Sequence, residues 1–347
     1  MELVVHIGHG KTGSSSIQST LRTNTENLLE QKTKYLGLNF EHSPFKHYEW
    51  QKPAAWNKLL ELGTEVAPRE LAHVLERTLN TIEKEGYEKA IWSNESLLVS
   101  PDIVIPALLA IQKVGVKITV VAYFRRHDAW ARSAYLQWAV KHKASPGIVK
   151  PFDEWSKRSF DFSNLVNTWL NQNWNKCLIR NFDELNDLVY DFLDCCELDS
   201  AEIISVRDND TPSNVATNLW ALYNSQTENP VLPNELYPIL SDSKILNKNY
   251  LKVDLENLFP TQESLDLVLK NAKPDIDAMN KIFAVGGQPK FSNKELSKKD
   301  YTVGWEEMVA GLLDITKAQY EKINNLEQRL NQIERLVNEN LANGDSI

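Results

Sequence analysis

Near the start of the chain, His6-Ile7-Gly8-His9-Gly10-Lys11-Thr12-Gly13-Ser14-Ser15-Ser16-Ile17 gathers three glycines, a lysine and a run of hydroxyls. Such a composition suits the capture of an anion. Glycines let the backbone turn its N–H groups inward, and a helix starting at the serines adds a partial positive charge. The hydroxyls either cap that helix or donate to phosphate oxygens. In the Walker A loop, a lysine and then Ser or Thr directly follow the last glycine. Here Ser14 follows Gly13, and Lys11 precedes that glycine by two positions. The lysine therefore leaves from a different part of the loop. The plainer alternative is a glycine-rich turn that only joins a strand to a helix.

A second cluster, Arg125-Arg126-His127-Asp128, follows the apolar run Lys117–Phe124, with Ser133 eight positions beyond Arg125. A guanidinium offers a planar donor fork that matches phosphate and stays charged. The competing reading is a surface ion pair among Arg125, Arg126 and Asp128. A third segment is Ile91-Trp92-Ser93-Asn94-Glu95-Ser96. Glu95 there reads either as a carboxylate at a crevice rim or as the acid at a helix N-terminus before Leu97 and Leu98, with Ser93 or Asn94 as cap.

The elements that must position these groups follow from hydrophobic patterning. Leu3–Gly8, Lys89–Ser93, Lys117–Phe124 and Lys176–Arg180 are short apolar runs that read as buried strands. Helical faces lie between them: Ile17, Leu21, Leu28 and Leu29 mark one, and Leu71, Val74, Leu75, Leu79 and Ile82 another. Trp130, Ala134, Trp138 and Ala139 mark a third, after Arg125. Strands alternating with helices predict a parallel sheet with right-handed crossovers, and ligands then bind at the carboxyl ends of the strands. Lys11, Glu95 and Arg125 should all stand at that rim. Residues 225–300, broken by Pro230, Pro233, Pro238, Pro260 and Pro274, should form helices and loops around the core.

Lys11-Thr12-Gly13-Ser14-Ser15 resembles the 5′-phosphosulfate loop of sulfotransferases that use 3′-phosphoadenosine-5′-phosphosulfate (PAPS), whose common form is Lys-Thr/Ser-Gly-Thr/Ser-Thr/Ser. The wider string is similar to the His-Ile-Gly-x-x-Lys-Thr-Gly opening of bacterial members. Phe152-Asp153-Glu154-Trp155, Leu165 and Trp169, Leu178 to Leu185, and Asn214 to Asn224 carry the likeness to about residue 225. It implies an α/β, P-loop-like three-layer fold with a central parallel sheet flanked by helices. It also implies a nucleotide site made of Gly10, Lys11, Thr12, Gly13, Ser14, Ser15 and Ser16, with Arg125 and Ser133 reaching the 3′-phosphate. Ser14-Ser15 replaces the commoner Thr-Thr, and neither the family's later Arg-Lys-Gly-type contact nor its acceptor region can be placed.

The implied reaction is in-line displacement at sulfur, moving a sulfuryl group from PAPS to a hydroxyl or amine, with a saccharide as the first acceptor class. Lys11 would stabilise charge on the leaving phosphate. Glu95 would take the acceptor's proton; His9, His42 and His47 are rivals, since imidazole titrates near neutrality unaided. No metal is expected. Two other classes stay open: a nucleotide-dependent kinase with an unusual loop, and a non-catalytic nucleotide-binding or assembly module. A kinase should present an aspartate at a strand end for magnesium, and the four strand runs do not clearly supply one.

With 347 residues and 42% hydrophobic content, the chain can bury a sizeable core. A net charge of −9 gives no general footprint for nucleic acid. Three cysteines without metal-ligand spacing, no basic leader and no long apolar run predict a cytoplasmic protein without a membrane span. The sequence divides into a sulfotransferase-like domain over 1–300 and a helical extension over 301–347. In the extension, Ile323, Leu326, Leu330, Ile333 and Val337 alternate spacings of three and four, a heptad seam. It predicts either a coiled coil that makes a homodimer or a helix lying on its own domain.

Overall fold

The computed structural model describes residues 1–157, 160–207, 214–225, 228–230, 255, 257–292, 301 and 303–344. Five strands form one all-parallel sheet: β1 (Glu2–His6), β2 (Thr33–Tyr35), β3 (Lys89–Ser93), β4 (Lys117–Phe124) and β5 (Lys176–Asn181). Their order is β2-β3-β1-β4-β5. The α/β class and the central parallel sheet thus agree with the sequence reading. β1 lies between β3 and β4, with His6 in register with Ser93 on one side and Val121 on the other. It ends before the expected Gly8 because that glycine turns to φ +35° and leaves the ladder. β2 was not visible in the pattern, having only three residues, Thr33-Lys34-Tyr35, paired to β3 from Lys89.

Helices flank the sheet, and the apolar runs are fully buried in its middle. Leu3, Val4, Val5, Ile91, Trp92 and Val120 are all solvent-free, as expected of a parallel sheet covered on both faces. Ile17 and Leu21 bury one face of α1 (Ser14–Thr23). Leu71, Val74, Leu75, Leu79 and Ile82 do the same on α2 (Gly63–Lys84). Leu28 is buried but its neighbour Leu29 faces solvent, against expectation. Further along come α3 (Pro101–Lys113), α4 (His127–Tyr135), α5 (Phe162–Leu170) and α6 (Leu188–Cys195). α4 runs into a π-helical turn, Leu136–Lys141. The wider turn shifts the helix face, so Trp138 comes out exposed while Trp130 and Ala134 stay buried.

The chain forms two compact units, each built from three separate segments. The first comprises Met1–Ala134, Ser156–Asp210 and Thr261–Ser297, and holds the whole sheet. The second comprises Tyr135–Trp155, Thr211–Pro260 and Lys298–Ile347. In the second unit, Tyr135 donates its hydroxyl to Leu258 O at 2.7 Å and Phe259 stacks on Tyr301. The expected helical segment after Thr211 is α7 (Asn214–Asn224). In the first unit, α8 (Gln262–Asn271) starts from a Thr261 capping box, and Pro274 opens α9 (Lys273–Val285). Pro233 and Pro238 lie outside the described residues. The C-terminal segment is one long helix, α10 (Trp305–Gly344). No helix among the described residues is long and apolar enough to cross a membrane.

Candidate functional site

Because every strand runs the same way, the segments leaving β1, β3, β4 and β5 all emerge at one edge of the sheet. That edge carries the β1–α1 loop, Glu95, Arg125 and a residue not singled out from sequence, Asp183.

The β1–α1 loop is built around three residues in left-handed or near-left-handed backbone: Gly8 (φ +35°), Lys11 (φ 74°) and Gly13 (φ 80°). For a lysine this conformation is strained, and the surrounding contacts must hold it. Trp130 on α4 donates its indole N–H to Gly10 O at 2.9 Å, and the Thr12 hydroxyl donates to His9 O at 2.6 Å. Gly13 is the N-cap of α1, and its carbonyl receives Ser16 N–H at 3.0 Å. Glycine adopts this φ without strain. A Cβ there would also stand 2.3 Å from Leu188 Cδ2 on α6.

α1 begins without a side-chain cap and without an acidic residue in its first turn. The N–H groups of a first helical turn have no partner within the helix. Ser14 opens this turn, buried, with an Oγ that has no hydrogen-bond partner among the described residues. His6 Nε2 is a second such atom. The two converge on Gly8: a Cβ there would lie 3.0 Å from Ser14 Oγ and 3.1 Å from His6 Nε2. Ser15 is exposed, Ser16 is buried, and Lys11 and Gly10 are half-buried. The Thr12 side chain is solvent-free.

Burial holds the His6 imidazole neutral, pulling its pKa down to about 3, and its Nδ1 lies 2.8 Å from Ser93 Oγ. His9 is enclosed by Phe124, Trp130 and Phe162, with ring centroids 5.4, 4.9 and 4.3 Å away. That burial, and after it the nearby His127, brings His9 to about 3 as well, which leaves it a poor proton acceptor. His42 and His47 are exposed on the segment after β2, and His42 leans on Tyr35 at 5.7 Å.

Glu95 is half-buried in a single 3-10 turn, Glu95–Leu97. Asn94 caps that turn by accepting Ser96 N–H at 2.9 Å, which is the cap considered from the sequence. Glu95 also does more than face a helix end. Gln18, on α1 one turn beyond Ser14, donates to Glu95 Oε2 at 3.1 Å, and the same amide reaches Ser93 O at 3.4 Å. A side-chain bridge thus ties the carboxylate to the helix whose N-terminus is open.

At the other flank, the expected cluster of Arg125, Arg126 and Asp128 resolves into two separate pairs. Arg126 is buried and makes a two-point pair with Asp128 at 2.8 and 2.9 Å, with a third bond to Ser292 O. Arg125 pairs instead with Asp183, Nε to Oδ1 at 3.2 Å, and lies over the Phe182 ring. Its side chain keeps 26% exposure. Asp183 Oδ2 accepts Arg126 N–H at 2.6 Å. Burial raises the Asp183 pKa, opposed by those arginine contacts. An aspartate does therefore stand just past a strand end, where the sequence reading found none, but two arginines hold it. Ser133 is half-buried on α4.

Comparison with family models and with curated proteins finds no match for this chain. The site is therefore read from its own chemistry. Among the described residues, no group of three or more His, Cys, Asp or Glu side chains gathers in a metal-holding arrangement. What gathers instead is a helix N-terminus with an unpartnered buried hydroxyl, a loop lysine, a bridged carboxylate and an arginine, on one edge of a sheet.

Proposed function

We propose that this chain is a PAPS-dependent sulfotransferase acting on a hydroxyl or amine acceptor, with saccharides the first class to test. The observation that carries the reading is the open end of α1. It has no cap and no first-turn acid, and the buried Ser14 Oγ lacks a partner among the described residues. A buried hydroxyl without a hydrogen bond is costly, and a positive helix end without a carboxylate is incomplete; one anionic group answers both.

In this reading, the main-chain N–H groups of Gly10 to Ser15 and the Ser14 hydroxyl hold the 5′-phosphosulfate, while Ser16 N–H stays bound to Gly13 O. The Thr12 hydroxyl already donates to His9 O, so that residue contributes through its backbone. Arg125 has an Nε occupied by Asp183, while its terminal nitrogens make no hydrogen bond among the described residues. They suit a 3′-phosphate, with Ser133 as second donor.

The acceptor oxygen or nitrogen attacks sulfur from the side opposite the leaving group. The bond between sulfur and the 5′-phosphate oxygen breaks, and its electron pair stays on the phosphate. Lys11 stabilises that negative charge, and Glu95 takes the acceptor's proton.

The test is a melting-temperature panel. 3′-Phosphoadenosine 5′-phosphate is expected to stabilise the protein more than ATP with magnesium does. A larger shift from ATP and magnesium would move the reading to a kinase. Sulfate transfer from PAPS to a saccharide panel then separates an enzyme from a binding module.

A further inference from the structure

The C-terminal helix presents an apolar strip that stays exposed among the described residues. Ile323, Leu326, Leu330, Ile333 and Val337 are exposed by 52, 53, 56, 57 and 50%. They alternate spacings of three and four along α10, so Ile323, Leu330 and Val337 fall at heptad position a, and Leu326 and Ile333 at d. The same register carried toward the start of the helix meets Trp305, Val309 and Leu312, also exposed. Thr316 at a and Gln319 at d interrupt the strip with two successive polar layers. The strip spans about 50 Å at ~1.5 Å per residue. An amphipathic helix of this length owes its stability to burying that face.

The flanking charges say what buries it. In this register Lys322 and Arg329 occupy g, and Glu327 and Glu334 occupy e. When two copies lie parallel and in register, each g residue meets the e residue five positions on in the other copy. Lys322 then faces Glu327 of the second copy, and Arg329 faces Glu334, on both sides of the seam. When two copies lie antiparallel, g meets g and e meets e, so that lysine and arginine oppose each other and glutamate opposes glutamate. The Gln319 layer points the same way. In register, Gln319 of each copy meets its own counterpart and can hydrogen-bond to it. A shift by one heptad sets it against Leu312 or Leu326, an unpaired polar group in an apolar seam.

We propose that α10 binds a second copy of this chain as a parallel, in-register coiled coil. The inference uses no part of the assigned chemistry and stands whether or not the sulfuryl-transfer reading does.

The experiment is the solution mass of the full chain by sedimentation velocity, for wild type and two exposed-charge variants. Lys322→Glu/Arg329→Glu makes all four flanking positions acidic, and Glu327→Lys/Glu334→Lys makes them all basic. Wild type is expected to self-associate. Each variant alone should associate more weakly by about tenfold or more, and an equal mixture of the two should recover association. Melting temperatures of the isolated variants check that they remain folded. A monomeric wild type at micromolar concentration would overturn the proposal. So would variants that keep the wild-type mass, because an antiparallel pair or an interface elsewhere predicts no loss.

Discussion

Three helices of the sheet-bearing unit treat their N-termini differently. At α6, the Asp187 carboxylate accepts Val189 N–H at 2.9 Å and Tyr190 N–H at 3.2 Å. At α5, Asp275 reaches in from α9 to accept Phe162 N–H at 3.1 Å, Ser163 N–H at 2.9 Å and the Ser163 hydroxyl, while also binding His127. At α1, the cap is Gly13, no carboxylate is near in sequence, and a hydroxyl is buried without a partner among the described residues. The first two ends are completed by the chain's own anions. The difference teaches how the proposed function divides the helix ends: an end left open beside a buried donor would take an anion from outside, whereas the capped ends are structural.

The contrast is most exposed to failure at Lys11. Lys11→Ala is expected to cut sulfuryl transfer by ~10²–10³-fold, the scale of removing one preorganised donor from developing charge. Lys11→Gly should lose as much activity yet gain about 1 kcal/mol of stability, since it relieves the left-handed backbone. Turnover retained in either variant would make the open end a structural accident. Next comes Glu95→Gln, which keeps the bridge from Gln18 in shape. Turnover should fall by about 10²-fold with nucleotide affinity unchanged. Near-normal rates there, with a collapse in His42→Ala, would move the base to that histidine.

Arg125→Ala should weaken binding of 3′-phosphoadenosine 5′-phosphate by ~1.5–3 kcal/mol by calorimetry, and leave adenosine 5′-phosphate unaffected. Equal losses for both nucleotides would detach Arg125 from the 3′-phosphate. The smallest effects give the sharpest contrast. Asp187→Ala should lose about 1 kcal/mol of folding stability, as for a cap. Ser14→Ala should cost no stability, because its hydroxyl has no partner among the described residues, but should weaken nucleotide binding by ~0.5–1.5 kcal/mol. Denaturant titration of the two variants checks the pair.

Much of the sheet was legible because parallel strands are buried on both faces and read as unbroken apolar runs, as at Lys117–Phe124. β2 was not, because three residues with one lysine carry no periodicity. The β1–α1 loop could be located from its glycines and hydroxyls, but its orphaned atoms could not, since burial is a property of the packed fold. The partner of Arg125 lay hidden for a related reason. Local sequence offers Asp128 three residues away, and only the pairing of β4 with β5 brings Asp183 into reach. The bridge from Gln18 to Glu95 likewise joins α1 to the end of β3, and no spacing within either segment announces it.

The close approach of Gly13 to Leu188 bears on the order in which the molecule is made. The residues of the loop leave the ribosome first, yet the wall against which Gly13 rests belongs to α6, after the last strand of the sheet. Local turns form early in folding, whereas contacts between distant parts of the chain must wait for loop closure. A nascent chain that has not yet extended past Leu188 carries the whole loop in its sequence but lacks the side chain that packs against Gly13. The packed form of the β1–α1 loop is therefore a late product of folding, although its sequence lies within the first sixteen residues.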